Sequence, residues 1–170
     1  MYSSPYEAYP FLSEPGDSLC CDFEILTDLI TSKIGTLRSV ADVSHRDELA
    51  KVAECFYHLN PTLRTFFSLT DAEIREIGEW TRQMAERSEV HGFVLPAGCE
   101  TACLAHELRV MCKQMVRMMY RFTEQGGSIP DAAFDYANLA SGYFFQLALE
   151  LNREAGIAEI PFVSRNYRIK

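Results

Sequence analysis

The sequence predicts an all-α fold, a five-helix bundle, and three observations carry that expectation. Apolar residues recur at steps of three and four over most of the chain. Helix-starting and helix-stopping residues punctuate the pattern at helix-length intervals. No segment alternates apolar and polar residues convincingly enough to build a strand ladder. In chain order, Pro5, Pro10, Pro15 and Gly16 among serines and tyrosines predict an irregular arm over 1–21. From Asp22 the pattern turns helical, with Phe23, Leu26, Ile30, Ile34, Leu37 and Val40 forming one apolar stripe. A shorter second helix is expected from about Arg46 to Leu59, ended by Asn60-Pro61. Thr70-Asp71-Ala72-Glu73 is a capping-box sequence and opens a third helix to about Glu89. His91 to Gly98 makes a connection. The fourth helix spans Glu100 to Glu124 and stops at Gly126-Gly127. The fifth starts behind Ser128 and Pro130 and runs to about Glu154, ahead of Gly156. The bundle is thus expected over 22–160, followed by a non-helical tail over 161–170.

Composition narrows the function classes. The chain has 170 residues, 48% of them hydrophobic and 24% charged, with a net charge of −8. A chain of this length buries roughly 70% of its unfolded surface, so it folds without a disulfide or metal staple. The acidic balance argues against nucleic acid as a partner, because phosphate contacts need a basic surface. No apolar run approaches the ~20 residues of a membrane span. The opening Met1-Tyr2-Ser3-Ser4-Pro5 lacks the charged and apolar regions of a signal peptide. The expectation is a cytoplasmic domain with no membrane partner.

The six cysteines read as reduced thiols. Cys99, Cys103 and His106 lie at i, i+4 and i+7, so on a helix they share a face that a soft metal could use. No fourth ligand is evident and neither CxxC nor HExxH occurs, so packing thiols are the preferred reading and no metal is assigned.

The fourth helix carries two stripes. Leu104, Leu108, Met111, Met115, Met118 and Phe122 form a bundle-core seam. Arg109, Lys113, Arg117 and Arg121 follow one another at intervals of four. Like charges at that spacing repel by a few tenths of a kcal/mol per pair unless something anionic answers them. Either carboxylates of a neighbouring helix or subunit do so, or the stripe binds a phosphate- or carboxylate-bearing ligand. Asp28 sits beside Leu26, Leu29 and Ile30, which predicts partial burial and a cationic partner, with Arg109 the natural candidate. Asn138, set among Ala137, Leu139 and Ala140, is expected to bond backbone or ligand.

These residues bring a family into view. Phe93-Val94-Leu95-Pro96-Ala97-Gly98, followed without a gap by His106, Arg109, Cys112-Lys113 and Arg117, resembles the signature of the trimeric ATP:cob(I)alamin adenosyltransferases of the propanediol-utilisation type. That signature reads Phe-x-Leu-Pro-Gly-Gly, then Leu-His-x-Ala-Arg-x-x-Cys-Arg-Arg-Ala-Glu-Arg. Asp28-Leu29-Ile30-Thr31-Ser32-Lys33-Ile34-Gly35 is similar to the family's Asp-Glu-Leu-Asn-x-x-Ile-Gly. Tyr136-Ala137-Asn138-Leu139-Ala140-Ser141-Gly142 is similar to its Tyr-Leu-Asn-Arg-Leu-Ser-Asp, and Asn152-Arg153-Glu154-Ala155-Gly156 matches the close of its last helix. The likeness covers about Asp22 to Ile160, in order.

The resemblance implies a corrinoid substrate, ATP with Mg, and a homotrimer. Cob(I)alamin attacks the 5′ carbon of ATP and triphosphate leaves. Phe93 would pack under the corrin and keep out the lower axial ligand, which favours reduced cobalt. Asp28 and Arg109 would form an inter-subunit ion pair shaping the site. Phe93, Asp28 and Arg109 are therefore the implied catalytic positions. His106 and Arg117 join them as cofactor-binding positions, and Lys113 and Asn138 would face ATP. Lys113 stands where the family has an arginine and so gives up bidentate geometry.

Departures fall mostly on the triphosphate side. The family's N-terminal Thr-x-x-Gly-Asp-x-Gly loop has no counterpart in 1–21. Gln114, Val116, Leu139 and Gly142 replace an arginine, a glutamate, an arginine and an aspartate, and Thr31 replaces an asparagine. Two readings follow. One is an active, divergent adenosyltransferase in which Tyr2, Tyr6 or Tyr9 helps to cover the nucleotide. The other is a catalytically silent relative that binds a corrinoid, another tetrapyrrole or a partner protein.

Overall fold

The structure is a computed structural model that describes residues 2–8 and 11–166. Five helices account for nearly all of its regular structure: α1 (Leu19–Val40), α2 (Val43–Leu59), α3 (Asp71–Arg87), α4 (Glu100–Glu124) and α5 (Asp131–Glu154). This is the all-α, five-helix bundle that the periodicity predicts. The expected bounds of α4 are met to the residue, and α5 begins at the Asp131 that follows Pro130. The capping box at α3 forms in both directions, Thr70 accepting from the Glu73 backbone and Glu73 from the Thr70 backbone. Helix α2 starts three residues earlier than expected. Asp42, whose carboxylate accepts the Ser44 N–H at 3.0 Å, caps it ahead of Val43.

Helices α1 and α2 pack together, α1 lies on α4, α4 on α5, and α5 on α3. The core face of α1 is Phe23, Ile30, Ile34 and Leu37, all fully buried. Each such side chain stabilises the fold by roughly 1.5–3 kcal/mol. Val40, expected to close that stripe, is exposed at the last turn. Along α4 and α5 many of the buried positions are small: Ala102, Ala105, Ala133, Ala137, Ala140 and Ala148. Short side chains let the two axes approach closely. The pair is antiparallel, because Tyr120 meets Phe134 at one end while Arg109 lies over Phe145 further along.

The arm and the segment after α5 are both tied down, through Phe11 and Glu14 and through Ile160 to Phe162. Arg64, in the connection after α2, bonds the carboxylates of Glu14 in the arm and Glu24 in α1. Its guanidinium also covers the Phe11 ring at 4.8 Å. The tail pairs with the connection ahead of α4: Val94 and Pro161 form an antiparallel bridge. Leu95 N–H donates to Ile160 O at 2.9 Å, and Phe162 N–H to Phe93 O at 2.8 Å. The expected boundary at 160 therefore falls inside a paired segment.

Candidate functional site

The basic stripe of α4 lies on the outside of the bundle. Lys113, Arg117 and Arg121 are exposed, and Arg109 is half-buried. None of the four forms an ion pair with another described residue. Neighbouring helices of the same chain therefore do not neutralise the stripe. Arg109 is held by its aliphatic stem and by the Phe145 ring, 5.9 Å from its guanidinium carbon. Its Nε is buried with no hydrogen-bond partner.

One turn before Arg109, His106 is 4% exposed, and both of its ring nitrogens are buried and unpartnered. Burial first, and the Arg109 charge second, hold its imidazole below the usual histidine value. A histidine neutral in the fold takes up its proton only on unfolding as pH falls through about 6.5. Stability should therefore decline on acidification from pH 7, by no more than about 1.4 kcal/mol per pH unit for one proton. His106→Gln should flatten that slope in urea titrations across the same range; an unchanged slope would refute the assignment.

These side chains border an open cleft of about 510 Å³, lined by Pro96, Cys103, His106, Arg109, Met111 and Gln114 among others. Pro96 brings the Phe93–Gly98 connection to the cleft edge. Phe93 itself is 59% exposed. Side chains alternate across a two-stranded ribbon, so Phe93 and Leu95 share a face with Ile160 and Phe162 on the paired tail. All four are exposed, giving an apolar face on the paired connection and tail.

The other predicted positions fall as follows. Asp28 is not half-buried: it stands on the exposed side of α1, accepting a hydrogen bond from Tyr57 Oη at 3.0 Å. Its apolar neighbours Ile25 and Leu29 are exposed with it, so no core of this chain covers that face. Asp28 is not paired with Arg109 within the chain. Asn138 is exposed, and its amide donates to Phe134 O one turn back at 2.8 Å. The antiparallel register places it level with Lys113, since Ser141, one turn further on, reaches Arg109 O at 3.3 Å. Cys99 and Cys103 turn their thiols toward Leu151 O and Gly98 O. Among the described residues no three metal-ligating side chains cluster. Tyr2 and Tyr6 border a separate groove of the arm, away from the α4 cleft; Tyr9 lies outside the described residues. Phe145 was missed in the sequence, where it reads as one more aromatic in α5. Only its spacing of seven from Asn138 could have marked it as sharing that residue's face.

The fold and these placements define a helical-bundle protein with an exposed apolar face on its paired connection and tail and an exposed cationic stripe on α4. The cobalamin adenosyltransferase family model matches residues 23–151, and the chain belongs to that family. A corrinoid adenosyltransferase of Bacillus subtilis is 30% identical over 78 residues, a match covering 46% of this chain and 40% of that protein. Among solved structures, a phenylalanine-to-alanine variant of a PduO-type ATP:corrinoid adenosyltransferase from Lactobacillus reuteri, complexed with cobalamin and ATP, superposes with TM-score 0.78. It is 16% identical and the match covers 87% of this chain and 88% of that one. An arginine-to-lysine variant of a PduO-type enzyme from the same organism, complexed with ATP, gives TM-score 0.79 at 18% identity, covering 86% and 89% of the two chains. These likenesses establish the shared fold. No described helix is long and apolar enough to cross a membrane.

Proposed function

We propose that this protein is a corrinoid adenosyltransferase, moving the 5′-deoxyadenosyl group of ATP to reduced cobalamin within a homotrimer. The observation that carries the reading is a cleft under the Phe93–Gly98 connection, lined by His106 and Arg109, from which the unpaired Lys113 and Arg117 continue along α4. A corrin ring needs such a cleft and a triphosphate such cations. In the reaction the cobalt electron pair forms a bond to C5′ while the C5′–O bond breaks and triphosphate leaves with the two electrons of that C5′–O bond. The chain supplies the frame. Phe93 occupies the lower axial space, His106 and Arg109 border the corrin with buried, unanswered polar atoms, and Lys113, Arg117 and Asn138 face the phosphates, with Mg accompanying ATP. The exposed Ile25, Asp28 and Leu29 of α1 form the face that meets a neighbouring subunit, where Asp28 pairs with Arg109. Six free thiols suit the reducing cytoplasm.

The substitutions in the Lactobacillus enzyme support this placement. The altered phenylalanine and the altered arginine are twenty residues apart there, as Phe93 and Lys113 are here. This chain carries at the second position the lysine that was introduced in that enzyme, whose variant was solved with ATP. Restoring the planar fork should therefore help: Lys113→Arg is expected to lower the KM for ATP by roughly tenfold. The test is anaerobic incubation of reduced cobalamin with ATP, following adenosylcobalamin and triphosphate, for both proteins. A second reading rests on the arm, whose groove shares no lining residue with the α4 cleft and whose sequence carries no Thr-x-x-Gly-Asp-x-Gly loop. On that reading the corrinoid binds, its spectrum changes, and no product forms at any ATP concentration or with Lys113→Arg.

A further inference from the structure

We propose that Asn152 is a positioning residue, which sets the place of Phe93 against the corrin by clamping the connection that carries it. The inference rests on the reading of Phe93 given above. Asn152 is the last fully buried residue of α5 and has no solvent exposure. Its amide is used completely, with Oδ1 accepting the Cys99 N–H at 3.0 Å. Nδ2 donates to Ala97 O at 2.9 Å and to Glu159 Oε1 at 2.8 Å. One side chain thus bonds both sides of Gly98 and also the start of the tail.

Gly98 shows how tight the clamp is. Its φ is +131°, a region that side-chain-bearing residues rarely adopt. A Cβ built there would lie 1.9 Å from Asn152 Oδ1. Amide and turn can coexist only with glycine at 98. From this anchor the chain runs back through Pro96, at the cleft edge, to Phe93. At that end the tail takes hold, through Leu95 N–H on Ile160 O and Phe162 N–H on Phe93 O. Because Asn152 also bonds Glu159, the same residue fixes the start of the strand that grips Phe93. Both tethers of the exposed ring therefore lead to one buried amide.

Asn152→Asp is the sharpest probe, because it keeps the shape and replaces both N–H donors by an acceptor facing Ala97 O and Glu159. Phe93 should then sit loosely. The fraction of bound cob(II)alamin without an axial donor, read from its absorbance spectrum, should fall. Turnover should drop by about tenfold or more, with the KM for ATP within about twofold of the parent. A general loss of folding would move both parameters and the helical circular dichroism; loss of positioning moves turnover and the spectrum alone. A folded Asn152→Asp protein with parental spectrum and turnover would overturn the proposal. Should that variant not fold, Phe162→Pro decides. It removes the N–H on Phe93 O from an exposed tail residue and should shift the spectrum in the same direction; parental values there overturn the clamp. Phe93→Ala run alongside separates the two levels. If it leaves the spectrum unchanged, the reading of Phe93 fails. If it alone abolishes the axial-ligand-free species while both clamp variants behave as parent, only the present inference fails.

Discussion

Phe93→Ala is expected to cut adenosyl transfer by about a hundredfold while leaving thermodynamic stability within about 0.5 kcal/mol of the parent. The two halves of that result have separate causes. Stability is spared because the ring is 59% exposed and packs in no core. Its backbone oxygen stays bonded to Phe162 N–H, and the turn behind it stays on Asn152. On the proposed reading, activity is lost because the phenyl group would deny the lower axial position to water or to a nitrogen donor. A donor on that face makes the reduced metal less accessible, since axial ligation and local dielectric set the potential. Anaerobic titration with cob(II)alamin would show the axial-ligand-free spectrum with the parent and the ligated one with the variant. Chemical denaturation should give superimposable curves. Retention of the ligand-free spectrum would remove Phe93 from the site, whatever the rate.

Much of this fold is legible because its signals are local. Thr70 and Glu73 form their capping box three residues apart, and Gly126 and Gly156 stop helices that periodicity alone would let run on. The basic stripe is equally plain, since intervals of four on one helix need no tertiary knowledge to align. Asp28 shows where such reasoning stops. Its apolar neighbours Leu26, Leu29 and Ile30 predict burial, yet only Leu26 and Ile30 turn to the core, while Leu29 is exposed with Asp28. The buried face of α1 runs through Phe23, Ile30 and Ile34; Asp28, two positions from Ile30, points to the opposite side. Sequence neighbours on a helix thus fall on different faces, and Asp28 shares the uncovered one with Ile25 and Leu29. The ends of the chain were silent for a different reason. The contacts of Arg64 with Glu14 and Glu24 join residues 40 to 50 positions apart, and the ribbon between Val94 and Pro161 is a backbone pairing too short to impose alternation on the sequence. Asn152 was visible only as one letter of a helix-end motif. Its weight comes from three bonds that only the folded connection supplies.

Mixing two inactive proteins should restore activity. Asp28→Ala and Arg109→Ala are each expected to lower turnover by about a hundredfold or more, for the same reason seen from two sides. In one chain, among the described residues, Asp28 bonds only the Tyr57 hydroxyl, and the Arg109 guanidinium forms no ion pair. Asp28 is exposed on α1 and Arg109 half-buried at the open cleft of α4, helices that pack on each other, so a neighbouring subunit can bring the two charges together without repacking the bundle. A desolvated Arg–Asp pair at such an interface is strongly destabilised when one partner is removed, because the other charge is left behind. If each site takes Asp28 from one subunit and Arg109 from the next, an Asp28→Ala subunit beside an Arg109→Ala subunit builds one intact site in one orientation. Random reassembly of an equal mixture then gives about a quarter of the parental sites. The experiment is dissociation in mild denaturant, mixing, removal of denaturant, and assay of adenosylcobalamin formation, with each variant treated alone as reference. Recovery confined to the mixture requires a shared site. No recovery, from subunits shown by mass-tagged exchange to have mixed, would place both residues within a single chain's site or outside it altogether. The double variant Asp28→Ala/Arg109→Ala separates those outcomes further, since with the parent chain it should yield no site beyond those made by parent subunits adjoining one another.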